Sequence, residues 1–346
     1  MNIAFITNHN CMRVTKESLV LNDLGYSIHL ITRALRGHKH FKTTNLFDTE
    51  QDLINIVKAM SKYIDIWHIH NHPNSYAVTV RTVLPKAKIV FDFHDSNYWF
   101  VGDEKISDTQ EKLRWYTEDV AVEASDAFIV PGDMCKDELK TRTKKPIIVI
   151  PPAVPKKLFV SADWNVWGGL VSQGGHASSE RTGVYKYNGW RDYGDLYKAL
   201  IGKVKIFAYS PSFKLNNEDP IIKYYLNLGV HLNNFGYEQL LIRIGEHTWN
   251  LVGNLKKVRV MDYMMPNKLF DAIAAGCPSI CLNAKSAGNF VEQYGIGISI
   301  STIEELLDRW DEHTEKRYNL MLKRDQFCME SYIDRLTKLY DKTKET

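Results

Sequence analysis

Apolar residues in the first half of the chain come in short runs, separated by stretches of helical spacing. Residues 2–7 (NIAFIT) read as a strand, 16–24 as a helix stopped by Gly25, and 27–32 as a second strand. The alternation continues with helices over 53–63, 75–84 and 113–124 and strands over 64–69, 88–93, 127–130 and 147–150. Strands alternating with helices predict an α/β chain with a parallel, doubly wound sheet.

The pattern breaks at residues 151–155 (PPAVP), where three prolines remove backbone donors. This is the expected linker and hinge. The pattern then restarts, with strands over 167–172, 204–209, 249–252 and 279–282 and helices over 193–201, 237–244 and 267–275. The stretch 302–342 is helical by composition. We therefore expect a first domain over 1–150, a second over 151–310, and a helical segment over 311–346 returning to the first.

At 346 residues the chain is long enough for two cores. No run of about 18 apolar residues spans a bilayer, and the opening MNIAFITNHN lacks the marks of a secretory signal. Five scattered cysteines without a C-x-x-C pair read as reduced thiols. Together these predict a soluble, cytoplasmic protein. The formal charge of +3 does not demand nucleic acid. Basic residues do gather at 33–42, at 136–145 and at Lys156–Lys157, which suits a solvated face, or else an anionic acceptor or a peripheral membrane contact.

The richest stretch is 265–282, MPNKLFDAIAAGCPSICL, a helix opened by proline and closed by Gly276 before a buried strand. A helix start favours phosphate, and Lys268 adds a full positive charge beside it. Asp271, a turn further on, suits ribose hydroxyls. Earlier, LVSQGGH (170–176) ends a strand in Gly174 and Gly175, which permit close approach of a ligand to the backbone.

The stretch P-N-K-L-F-D-x-x-A-x-G-x-P resembles the donor-binding signature of GT-B glycosyltransferases, in particular the large retaining family of bacterial polysaccharide and lipid glycosyltransferases. That resemblance implies two Rossmann-like domains facing a cleft, with the C-terminal helix packing back on the first. It implies donor binding by Gly174, Gly175, Asn267, Lys268, Leu269 and Asp271, with Asp271 replacing the family's glutamate. A further glutamate is usual eight residues earlier, where this chain has Tyr263 beside Asp262. The family's phosphate-binding arginine and lysine match Arg181 and Lys186 by separation, but Arg191 better by its place before the next helix, near Trp190.

In the first half, DIWHIHNHP (65–73) places His68, His70 and His72 on one strand face. With FDFHD (91–95) this permits a metal-dependent hydrolase built on His68, His70 and His94. Both segments also resemble strand ends of GT-B acceptor domains, which makes His94 the first catalytic candidate and Asp95 the second. The same likeness gives His9, Asn10, Arg13, His70 and His72 acceptor-side roles, although NHNCMR (8–13) lacks the family's glycines. No D-x-D triplet occurs, so the expected enzyme uses no metal or other cofactor.

The implied reaction moves a sugar from a nucleoside-diphosphate sugar to an acceptor hydroxyl, with retention. Uridine is favoured by frequency in the family, and the transferred sugar is a hexose or a pentose. The expected acceptor is a glycan or lipid-linked glycan. A hydroxylated base in DNA, as in phage enzymes, is the alternative, and an epimerase acting on the nucleotide sugar is a third reading.

Overall fold

The computed structural model describes residues 1–35, 40–70, 72–100, 107–161, 168–176, 191–211, 213 and 220–345. The chain divides into two compact units. One takes the described residues of 1–101, 106–155 and 329–346, the other those of 156–328.

The first unit carries a seven-stranded, wholly parallel sheet in the order β3-β2-β1-β4-β5-β6-β7. Its strands are β1 (Asn2–His9), β2 (Ser27–Ala34), β3 (Thr43–Leu46), β4 (Ile66–His70), β5 (Ile89–Asp92), β6 (Ala127–Val130) and β7 (Ile147–Val149). β4, β5 and β6 are buried along their whole length, as strands covered on both faces must be, and this explains their near-continuous apolar runs. The connecting helices are α1 (Met12–Asp23), α2 (Glu50–Met60), α3 (Ser75–Val83), α4 (Asp108–Ala124) and α5 (Asp133–Lys140). Capping boxes start α2 at Thr49 and α4 at Ser107, so α4 begins five residues before the predicted 113.

α1 departs from ordinary patterning, because Arg13, Lys16 and Glu17 are all buried. Lys16 Nζ donates to Pro152 O at 3.1 Å and Arg13 Nη2 to Ile150 O at 3.0 Å. The helix thus holds the start of the predicted linker in place with charged side chains.

The last helix, α14 (Glu330–Glu345), belongs to this first unit. Ile333, Leu336, Leu339 and Tyr340 are its buried side. Tyr340 Oη lies 2.6 Å from His68 Nδ1, and Lys344 pairs with Asp65 at 2.7 Å. Met329 N donates to Val154 O at 3.0 Å where the chain re-enters.

The second unit has six parallel strands in the order β10-β9-β8-β11-β12-β13. They are β8 (Leu170–Gln173), β9 (Ile206–Tyr209), β10 (His231–Asn233), β11 (Trp249–Gly253), β12 (Ser279–Leu282) and β13 (Gly297–Ile300). Alternation along β8 sends Leu170 into one apolar cluster with Tyr197, Trp249 and Leu251, and Val171 into another with Ile244, Ala272 and Ala275. The helices are α6 (Gly194–Leu200), α7 (Pro220–Asn227), α8 (Tyr237–Gly245), α9 (Arg259–Tyr263), α10 (Asn267–Ala275), α11 (Lys285–Tyr294), α12 (Ile303–Asp308) and α13 (His313–Lys323). Trp167, Arg181, Lys186 and Trp190, which entered the sequence reading, lie outside the described residues.

Candidate functional site

In the second unit the candidate site forms where β8 ends beside the start of α10. Gly174 has φ +96°, a conformation that favours glycine. A Cβ on Gly175 would meet Arg191 Nη1 at 2.8 Å, so the arginine lies against that turn. Gln173 Nε2 donates to Lys268 O at 3.0 Å and ties the end of β8 to the first turn of α10.

Pro266 is the residue before α10 rather than its first residue, and no side chain caps the helix start. Asn267 is exposed there. Lys268 Nζ donates to Tyr193 Oη at 3.0 Å and lies 5.4 Å from the centre of that ring. The side chain of Leu269 is fully buried, and its N–H is used by Pro266 O at 3.1 Å. It therefore packs the helix into the unit. Gly276 closes the helix at φ +72°.

Asp271 is only 6% exposed, and its Oδ1 accepts from Tyr237 Oη at 2.7 Å. Burial, with the Asp271 charge beside it, pushes the Tyr237 phenol well up, so it remains a donor. Behind the glycine turn, His176 Nδ1 lies 2.9 Å from Gly174 O, and Nε2 lies 3.0 Å from Ser172 Oγ. Burial, helped by Lys268 and Arg191, lowers His176 to about 3. A neutral ring fits these contacts, donating from Nδ1 and accepting at Nε2. The patch thus gathers Gly174, Gly175, Arg191, Lys268 and Asp271 around two cations and a helix start, an arrangement that suits a diphosphate and a ribose.

In the first unit, polar residues converge at the carboxyl ends of β1, β4 and β5, the edge where open α/β sheets bind ligands. Asp92 ends β5 and is fully buried. Its Oδ2 takes Arg13 Nε at 2.5 Å and lies 3.1 Å from His70 Nδ1, while Oδ1 lies 3.3 Å from His94 Nδ1. Glu17 Oε1 lies 3.3 Å from Arg13 Nη2. The segment after His94 is pinned by Glu118, which accepts from Ser96 Oγ at 2.7 Å and Asn97 N at 2.6 Å.

Charges in this cluster are set by competition between burial and neighbours. Burial opposes the Asp92 carboxylate, yet Arg13 above all, then His94, hold it well below the usual range. Burial also opposes the Arg13 charge, but Asp92 and Glu17 raise it. Burial pushes Glu17 up to about 8 against the pull of Arg13. Burial drives His68 and His70 down. For His94 burial is outweighed by Asp92, and its pKa is raised.

Arg13 and His70, expected to meet an acceptor, are instead buried with their side chains around Asp92. Of the other residues of that expectation, Asn10 is buried, His9 partly exposed and His72 exposed. His94 side-chain exposure is 18%, and its Nε2 lies 3.8 Å from Asp95 Oδ2.

Glu17, His68, His70 and Asp92 offer ligand atoms within 4.8 Å of one another, without His94. The rings of His68 and His70 stack at 4.2 Å with 19° between their planes. Lone pairs in near-parallel planes do not converge on one ion at about 2.0–2.1 Å. Arg13 already supplies positive charge to the carboxylates, and Tyr340 takes His68 Nδ1.

Sequence reasoning missed Glu17, Tyr193 and Tyr237 as site residues, and weighed Asp92 only as a possible part of a metal site. Asp92 carried a signal, standing two positions before His94 at a strand end.

Residues 18–157 match the model of Glycosyltransferase Family 4. A comparison with curated protein sequences gives no match. Among solved structures, HepE of Anabaena in complex with UDP is 12% identical with a TM-score of 0.69, covering 99% of this chain and 100% of that one. A glycosyltransferase from Rickettsia africae is 14% identical with a TM-score of 0.63, over 99% and 98%. An alpha-glucosyltransferase in complex with UDP-glucose and DNA containing an abasic site is 11% identical with a TM-score of 0.64, over 99% of each chain. The chain has the GT-B glycosyltransferase fold. No described helix is long and apolar enough to cross a membrane.

Proposed function

We propose that the chain is a glycosyltransferase that takes its sugar from a nucleoside-diphosphate sugar, with UDP the favoured nucleotide. The observation that carries this reading is the meeting of the Gly174–Gly175 turn and Arg191 with the start of α10, joined by Gln173 to Lys268 O at 3.0 Å. Lys268, Arg191 and the helix start neutralise the leaving diphosphate without a metal, and Asp271 holds the ribose. His94, with Asp95 beside it, serves the transfer from the first unit, and the configuration of the sugar is retained.

The acceptor we favour is a hydroxyl of a glycan or lipid-linked glycan. A DNA acceptor is the second reading, favoured by the likeness to an alpha-glucosyltransferase solved with DNA. The test is thermal stabilisation by a panel of nucleoside diphosphates and sugar nucleotides. A selective rise with one nucleotide, lost in Lys268→Ala and Asp271→Ala, supports the reading. No rise with any nucleotide overturns it.

A further inference from the structure

We propose that Asp92 and Arg13 are positioning residues that hold His94 as a fixed cation. Its Nε2–H is then presented to a substrate oxygen, and His94 acts as a hydrogen-bond donor rather than a base. The proposal rests on the glycosyltransferase reading for the identity of the substrate, but the state of His94 can be measured without it.

The carboxylate of Asp92 divides its two oxygens. Oδ2 faces inward, to Arg13 Nε at 2.5 Å and His70 Nδ1 at 3.1 Å. Oδ1 faces His94 Nδ1 at 3.3 Å. A guanidinium that is 98% buried fixes the carboxylate, since Arg13 is 2% exposed and its Nη2 is further tied to Ile150 O at 3.0 Å. The imidazole is therefore aimed by a group that cannot easily move.

Two imidazoles flank one carboxylate, and their exposures decide which is charged. His70 is fully buried, so charging it incurs the full loss of hydration. His94 keeps some contact with solvent and is the cheaper of the two to charge. The other groups around His94 are Asp95, whose Oδ2 lies 3.8 Å from Nε2, and Arg13, Glu17, His68, His70 and His72. Arg13 opposes the His94 charge, but it is already paired with Asp92. Glu17 favours its protonated form at neutral pH, and the three other histidines have lowered pKa values. The balance leaves the Asp92 charge to His94, which is raised above its ordinary value. An imidazolium has no lone pair with which to take a proton, so Nε2 can only donate.

The experiment is nitrogen NMR of protein labelled with ¹⁵N-histidine, the His94 signals being assigned by their loss in His94→Gln. At pH 7 both His94 nitrogens should be protonated, with a titration midpoint above that of an ordinary histidine. In Asp92→Asn the midpoint should fall by about one unit or more. The transfer rate should decline as pH rises through that midpoint, with the break displaced to lower pH and the rate about tenfold lower in Asp92→Asn. A neutral His94 at pH 7, or a rate that climbs through the midpoint, overturns the proposal. If Asp92→Asn does not fold, the wild-type titration still decides. UDP binding by the second unit is scored separately, so failure of the donor reading is distinguishable from failure here.

Discussion

The phenol of Tyr237, at the first turn of α8, donates to Asp271 Oδ1 on α10 at 2.7 Å. The Asp271 carboxylate is thus held by a partner 34 residues away. A hydrogen bond to a charged acceptor contributes about 1.5–3 kcal/mol. Tyr237→Phe should weaken UDP binding by about tenfold or more through a loosened Asp271, which isothermal titration calorimetry will measure. Unchanged affinity would separate Asp271 from ribose recognition.

Gly175→Ala probes the neighbouring contact. The new Cβ would sit 2.8 Å from Arg191 Nη1, the far end of a flexible side chain. The fold should tolerate it with a change of under about 1 kcal/mol, while nucleotide affinity falls because Arg191 is displaced. Gly174→Ala differs, because at φ +96° the alanine itself is strained and unfolding should come earlier by about 1 kcal/mol or more. Urea denaturation alongside UDP titration tells the two effects apart.

Acid should destabilise the second unit through two histidines. His176 is lowered to about 3 by burial, then by Lys268 and Arg191, and His247 to about 4, chiefly by burial. Both folded values lie below the unfolded one, so the unfolded chain binds more protons. Their stabilisation is present above about pH 6.5 and is lost as pH falls towards 3 and 4, by up to about 1.4 kcal/mol per pH unit for each. His247→Gln should flatten the decline of urea stability between pH 7 and pH 5. An identical slope in both proteins would exclude His247 as a contributor.

Exhaustive chelation should leave transfer activity intact if the stacked rings of His68 and His70 do not bind an ion. Activity lost to a chelator and restored by zinc or manganese would reassign Glu17, His68, His70 and Asp92.

Tyr340→Phe should lower stability by about 1–3 kcal/mol, because it leaves His68 Nδ1 buried without its 2.6 Å partner. Thermal unfolding would show this, and a change within a few tenths of a kcal/mol would refute it.

Most buried strands and α10 were readable because their apolar runs and turn residues are local signals, although β13 (GISI), also largely buried, was not read. β3 and β10 were not. TTNL and HLN are short, partly exposed edge strands with no apolar run to announce them. The charged side of α1 was also opaque, since Arg13, Lys16 and Glu17 have the look of a solvated face, while in the fold Arg13 meets Asp92 and Ile150, Lys16 meets Pro152 and Glu17 pairs with Arg13. Lys268, Asp271 and the glycine pair stand in local motifs that nominate them as candidates. Tyr237 and Tyr340 could not, because their partners are distant in sequence and a lone tyrosine on a helix carries no mark of its task.

The return of the chain to the first unit at Met329, whose N–H donates to Val154 O at 3.0 Å, also bears on the order of events during synthesis. The ribosome must make every residue of the second unit before the helix that covers His68 leaves the exit tunnel. The second unit can therefore mature first, while the sheet begun at Asn2 waits for residues 329–346. A shortened polypeptide running from Val154 through a brief loop into Met329 should fold as the first unit alone, with no new terminus at the seam.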